Sequence, residues 1–280
     1  MHIASRVIQS GADFKIMGTK NTMLESVKPV VAIGAVRTGC GKSQTTRRVA
    51  EILTDAGKKV VVIRHPMPYG DLVKQKIQRF ESLADLERYD CTIEEMEEYE
   101  PHIIRGNIVY AGVDYGAILQ EAEKEADVIL WDGGNNDMPF YKPDIMITVV
   151  DPHRPGHETS YYPGESNLLM ADSIVINKID TADNDDIEVV RYNIRKHNAE
   201  ALMIDAASPV VVEHPELITG KRALIVEDGP TLTHGGMKYG AGVVAAEKFG
   251  ASELVDPRPY TVGKITDTYN KYPEIGALLP

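Results

Sequence analysis

Short stretches of this chain are apolar almost without interruption: 30–36, 59–64, 128–132, 145–150, 173–177, 201–205 and 223–227. Runs of that length without polar alternation predict strands buried on both faces. Between several of them the apolar positions recur at helical spacing, which predicts helices over 43–56, 71–89, 115–125 and 187–197. Strands alternating with helices predict a mostly parallel sheet with helices on both faces, an α/β fold. Ligands of such sheets gather at the carboxyl ends of the strands. Residues 1–28 read as an amphipathic helix and a loop ahead of the first strand, an N-terminal extension. The expected core spans 29–227, and 228–280 is expected to pack on it, with a Gly- and Ala-rich helix over 231–249.

The first strand run leads straight into Val36-Arg37-Thr38-Gly39-Cys40-Gly41-Lys42-Ser43, and helix-forming sequence starts at Gln44. Strand, glycine-rich turn, Gly-Lys-Ser and helix form the layout of a phosphate-binding loop, so the α/β fold expected is that of a P-loop NTPase. Backbone N–H groups of such a loop close around phosphate oxygens. Lys42 would meet the β and γ phosphates, and the Ser43 hydroxyl would hold Mg²⁺. Val36 stands where the common pattern has glycine. A variant loop with a basic residue five positions before the lysine fits better, and Arg37 fills that place. Arg37 would share the charge that develops on the γ-phosphoryl, or reach a phosphate in a second copy, which would make a homodimer the working unit. Residues 37–44 are therefore the expected nucleotide contacts.

Other strand ends carry chemistry of their own. Asp132-Gly133-Gly134 closes one strand, where an acid would orient Mg²⁺ or its water. Asn177-Lys178-Ile179-Asp180 closes another. A carboxylate there can accept both N–H groups of a guanine edge and is left unpaired against the wrong base. An asparagine at this strand also serves adenine, so GTP and ATP both remain open as co-substrate. Arg64-His65-Pro66-Met67-Pro68-Tyr69-Gly70-Asp71 places two cation-capable side chains after the second strand. Asp71 reads equally as a Mg²⁺ ligand and as the N-cap of its helix. Asp151-Pro152-His153-Arg154-Pro155-Gly156-His157-Glu158 reads as an anion cradle around Arg154, or as a metal site with Glu158. Asp228–Met237 holds His234 in a glycine- and hydroxyl-rich loop suited to a second phosphate or to a capped helix start. His102 and the acids before it read as a lid or as a solvated helix face.

Composition narrows the partners. Thirty Lys and Arg against 42 Asp and Glu give a net charge of −12, which disfavours nucleic acid. No apolar run approaches the roughly 18 residues of a membrane span, so no membrane partner is expected. The start of the chain lacks the apolar stretch of a secretory signal. Two cysteines, Cys40 and Cys91, do not suggest a disulfide framework. A reducing cytoplasm is the expected compartment. Cys40 reads as a small loop residue or as a redox switch.

Val36–Ser43, Arg64–Asp71, Cys91-Thr92-Ile93-Glu94-Glu95, Trp131–Asp137, Asn177–Asp180 and Glu227–Met237 together resemble the cyclic 2,3-diphosphoglycerate synthetase family and related GTPases. The similarity runs over about 11–280, and members of that family extend further at both ends. The resemblance implies a ligase: a nucleoside triphosphate drives closure of 2,3-diphosphoglycerate into a cyclic phosphoanhydride, releasing the diphosphate nucleotide and phosphate. Lys42 and Ser43 would hold the triphosphate and Mg²⁺, with Asp132 as the second acid. Position and chemistry make Arg64, His65, Arg154 and His157, with His234, candidates for gripping a small anionic phosphorylated substrate. A regulatory or metallochaperone-like GTPase, whose hydrolysis controls partner binding, is the alternative.

Overall fold

The computed structural model describes residues 2–65, 67, 70–134, 137–233 and 235–280. In chain order the elements are α1 (His2–Gln9), β1 (Val30–Ala35), α2 (Lys42–Asp55), β2 (Val60–Arg64), β3 (Gln78–Phe80), α3 (Leu83–Arg88), α4 (Ile93–Ile103), β4 (Ile108–Ala111), α5 (Tyr115–Glu125) and β5 (Val128–Asp132). They continue with β6 (Ile145–Val150), α6 (Gly164–Met170), β7 (Ser173–Ile176), α7 (Asn184–His197), β8 (Leu202–Asp205), β9 (Arg222–Ala223), α8 (Gly229–Thr233), α9 (Ala241–Lys248), β10 (Glu253–Leu254) and α10 (Lys264–Lys271). The main sheet has eight strands in the order β3-β4-β2-β5-β1-β6-β7-β8. It is mostly parallel, with β3 antiparallel to β4 at one edge. The expected α/β architecture is what the chain adopts.

The chain divides into two compact units, with the division falling inside β1 and α2. The first comprises Met1–Ala32, Ala50–Gly133 and Met138–Asp144. Its centre is β2, which pairs in parallel with β4 and β5 and sets Arg64 opposite Asp132. Trp131, Tyr99, Phe80, Ile63, Ile129 and Leu130 are fully buried there. The second comprises Ile33–Val49, Gly134–Asp137 and Ile145–Pro280. Its strands β6, β7 and β8 run parallel and bring residues 151, 177 and 206 to one end. Ile225, Leu232, Val243, Tyr269, Ile275 and Leu278 form a separate apolar cluster within it.

The helix expected over 71–89 is reduced to α3, Leu83–Arg88. The Asp71 carboxylate instead accepts the Val73 N–H at 3.0 Å, a turn rather than a helix cap. The carbonyls of Gln75 and Lys76 accept from the N–H groups of Val113 and Asp114. Gly112, at φ +142°, permits that approach, since a Cβ there would lie 2.6 Å from the Gln75 oxygen. The chain then forms β3 and the short α3, which opens on a capping box of Ser82 and Asp85. The helix expected over 231–249 breaks into α8 and α9 at Gly235 and Gly236, and the run 223–227 is strand only over Arg222–Ala223.

Candidate nucleotide-binding site

Glycine is required at two places in the loop after β1. Gly39 and Gly41 have φ of +81° and +98°. A Cβ on Gly41 would sit 2.1 Å from Asn177 Nδ2. That closeness is functional, because the same amide donates to the Cys40 carbonyl at 2.8 Å. Lys178 Nζ donates to the Gly39 carbonyl at 2.6 Å, and Arg154 Nη1 to the Thr38 carbonyl at 2.8 Å. Three consecutive loop carbonyls are thus tied down by side chains from the ends of β6 and β7. A trans peptide points its N–H opposite to its C=O. Anchoring the carbonyls therefore turns the amides the other way, the arrangement of an anion-binding nest at a helix N-terminus.

Asp151 joins the anchors to one another. Its carboxylate lies 2.8 Å from Lys178 Nζ, 3.0 Å from Arg154 Nη2 and 2.9 Å from His153 Nδ1. Burial would raise its pKa, but the His153 hydrogen bond and the charges of Lys178 and Arg154 outweigh it and hold the carboxyl well below the usual range. Further out, the exposed Asp180 accepts the Ser208 N–H at 2.9 Å, which orients its carboxylate beyond the end of β7. Lys178 adopts φ +59°, left-handed backbone that puts its side chain back across the loop.

In the other unit, Asp132 at the end of β5 is fully buried and lies 2.9 Å from Arg64 Nη1. His102 Nε2 is 3.5 Å from the same carboxylate oxygen, and Glu98 holds Arg64 Nη2 at 2.9 Å. Burial would lower the Arg64 pKa, but Asp132, Glu98 and Tyr99 together raise it, so the guanidinium stays charged.

Several residues expected at the site are engaged by the protein's own groups. Arg154, expected to grip a substrate anion, is buried and bonds Thr38 O, Gly235 O and Asp151. Arg64 is likewise engaged with Asp132, Glu98 and the carbonyls of residues 132 and 133. His157 packs edge-on against Tyr161 at 5.0 Å, and burial followed by the charges of Arg154 and Arg37 lowers its pKa, which favours the neutral ring. Neither is Asp71 a helix cap; its carboxylate closes the turn described above. Glu158, a ligand only in the alternative metal reading of its segment, binds the Gly156 N–H at 2.9 Å and Asn193 at 2.5 Å. Among the described residues no three His, Cys, Asp or Glu side chains converge as metal ligands.

Other expected residues are placed without such conflict. Lys42 and Ser43 open α2, Lys42 buried and Ser43 half-buried, and Gln44 is exposed. The Arg37 guanidinium lies over the Tyr161 ring, 3.9 Å from its centroid. His65 follows β2, its N–H donating to the Asp132 carbonyl. Cys40 is buried, and burial pushes its thiol up to about 11 against the pull of Arg154, which fits the small-residue reading. His234 lies outside the described residues. The sequence offers no role for Asp151 and reads Glu98 and His102 only as part of a lid or a solvated helix face. The position of Asp151, first after a buried strand and beside His153 and Arg154, was the signal for it.

A phosphate-binding loop between strand and helix, in an eight-stranded mostly parallel sheet, makes this a P-loop NTPase fold. Residues 113–205 match the family model described as the nucleotide-binding domain of CobW/HypB/UreG. That stretch contains Asp132, Asp151 and Asn177–Asp180 and begins after the loop itself. A curated relative, arginine synthetase ArcE of Thermococcus kodakarensis, is 67% identical over all 280 residues. The chain spans 62% of that relative's length. Its name carries a different activity from the ring closure implied by the resemblance. Among solved structures, LpxK of Aquifex aeolicus in complex with ATP is similar in fold, with 14% identity and a TM-score of 0.52 over 94% of this chain and 81% of that one. The hydrogenase maturation factor HypB of Archaeoglobus fulgidus matches at 18% identity and a TM-score of 0.40, over 64% of this chain and 80% of that one. Among the described residues no helix is long and apolar enough to cross a membrane.

Proposed function

We propose that this chain is the nucleotide-binding part of a synthetase that uses a nucleoside triphosphate to make arginine. The observation that carries the nucleotide half is the fastening of carbonyls 38, 39 and 40 by Arg154, Lys178 and Asn177. Those bonds spend three polar side chains on presenting loop amides, an expense with a purpose only if the amides meet an anion. The arginine half rests on the curated relative that is 67% identical throughout this chain. It is supported by the fate of Arg64 and Arg154, whose guanidiniums are engaged with the protein's own carboxylates and carbonyls. A phosphorylated glycerate would need such cations free.

Phosphoryl transfer asks for positioning and charge neutralisation more than for covalent help from the protein. Lys42 and the loop amides would hold the β and γ phosphates. Asp180 would meet the base. The Ser43 hydroxyl, half-buried at the second position of α2, suits Mg²⁺, a hard cation that prefers oxygen ligands. Asp132 is paired with Arg64, so its carboxylate is not presented as a bare ligand. Mg²⁺ would neutralise charge on the phosphates; the chain's own residues orient them.

The test is Mg²⁺-dependent nucleotide turnover with L-arginine and 2,3-diphosphoglycerate in separate arms. This reading expects L-arginine to bind and, as product, to inhibit turnover. Stimulation by 2,3-diphosphoglycerate would instead favour ring closure. Slow turnover indifferent to both, with retained diphosphate nucleotide, would favour a switch GTPase.

A further inference from the structure

Helix α4 buries the wrong face for a helix of its composition. Its buried residues are Glu95, Tyr99, His102 and Ile103, of which the first three are 3%, 0% and 1% exposed, and Glu95 accepts the Thr92 N–H at 2.8 Å. Positions at this spacing share one face, which ordinarily is apolar. Here three of those four carry polar groups, and not all are satisfied: Tyr99 Oη and His102 Nδ1 are buried without hydrogen-bond partners among the described residues. A buried polar group left unmatched is destabilising, so such a stripe persists where it serves something.

The stripe begins at the wall of a cavity of about 400 Å³. Asp71, Lys74, Gln78, Arg88, Asp90 and Glu95 line it, all within the first unit. Gln78 is only 3% exposed, and no hydrogen bond holds its carboxamide among the described residues. Gln75, also on the wall, has its Oε1 buried with no partner. These two amides are polar groups waiting on a polar ligand. Asp90 adopts φ +50°, an uncommon conformation for a residue other than glycine, kept here at the cavity's rim.

Charge narrows the ligand. Three acids, Asp71, Asp90 and Glu95, face two bases, Lys74 and Arg88, for a net of one negative charge. An amino acid with a cationic tail carries two positive groups and one negative, the complementary sum. The volume is in the range of small-molecule sites. From Glu95 the polar stripe continues through Tyr99 to Glu98, Arg64 and Asp132 at the end of β5.

We propose that this cavity is the subsite for the amino acid, an arginine-type molecule whose α-carboxylate meets Arg88 and Lys74 and whose guanidinium meets Glu95, Asp90 and the Gln78 carboxamide. The proposal rests on the arginine reading above and assigns it a place.

The experiment is calorimetric titration of the 280-residue chain, without nucleotide, with L-arginine and with agmatine, which lacks the carboxylate. Wild-type protein should bind L-arginine at least tenfold more tightly than agmatine. Gln78→Met and Glu95→Gln should weaken both ligands at least tenfold. Arg88→Met, at an exposed position that leaves folding intact, should bring L-arginine down to the agmatine level and leave agmatine unchanged. If wild type binds L-arginine and all three variants bind it equally well, the cavity assignment falls and the arginine reading stands. If wild type binds nucleotide but not L-arginine, both fall. Circular dichroism melts of each variant separate lost binding from lost fold.

Discussion

Replacing Asp151 by asparagine removes one negative charge from the junction that fastens the loop. The side chain is 1% exposed and lies within 3.0 Å of Arg154, Lys178 and His153. Breaking a buried pair from one side costs about 3–5 kcal/mol, because the remaining charge stays buried without its partner. Arg154 keeps its bonds to Thr38 O and Gly235 O, and Lys178 is partly exposed, so the lower end applies, about 3 kcal/mol. At roughly 2–4 °C per kcal/mol for a domain of 150–250 residues, the melting temperature should fall by about 6–12 °C. Urea and thermal melts at neutral pH measure it. The pH dependence has a definite sign. The Asp151 pKa is lowered on folding, so its contribution is present above the unfolded value of about 3.9 and is lost as pH falls towards the folded value. The gap between wild type and Asp151→Asn should therefore be full at neutral pH and close under acid. A variant within 0.5 kcal/mol of wild type at neutral pH, or a gap that widens on acidification, would refute the reasoning.

Three further outcomes follow from the same geometry. Gly41→Ala puts a methyl 2.1 Å from Asn177 Nδ2 at φ +98°, so nucleotide affinity should drop more than tenfold; unchanged equilibrium binding would remove the loop's need for glycine. Asp180→Asn should weaken GTP more than ATP in competition binding, and equal losses would end base selection by this carboxylate. Cys40, with burial pushing its thiol to about 11, should label slowly with iodoacetamide at pH 8 in the native state and quickly in urea; fast native labelling would contradict its burial.

The sheet was legible where strands are continuous apolar runs. The stretches 128–132 and 145–150 are β5 and β6 to the residue, because buried parallel strands leave no ambiguity of face. The edge was not legible. Strand β3 reads Gln-Arg-Phe and is strand only because β4 offers it partners at Ala111, Tyr110 and Val109. The sequence of α4 reads as a lid or as a solvated face because acids dominate it. Which acids turn inward depends on Arg64, some 30 residues earlier, and spacing alone does not reveal that. At the site, the Asn177-Lys178-x-Asp180 spacing was visible, but its grip on the loop carbonyls was not. The cations at 64 and 154 looked like substrate groups because a sequence shows their charge and hides the carboxylates and carbonyls that already hold them.

Direct binding of a Mg²⁺–nucleoside triphosphate to wild type and to Lys42→Ala, measured side by side by calorimetry, tests the nucleotide site most directly. The structure leads us to expect saturable one-to-one binding by wild type and none by Lys42→Ala. Equal binding by the two proteins would mean that the loop after β1 does not hold the phosphates.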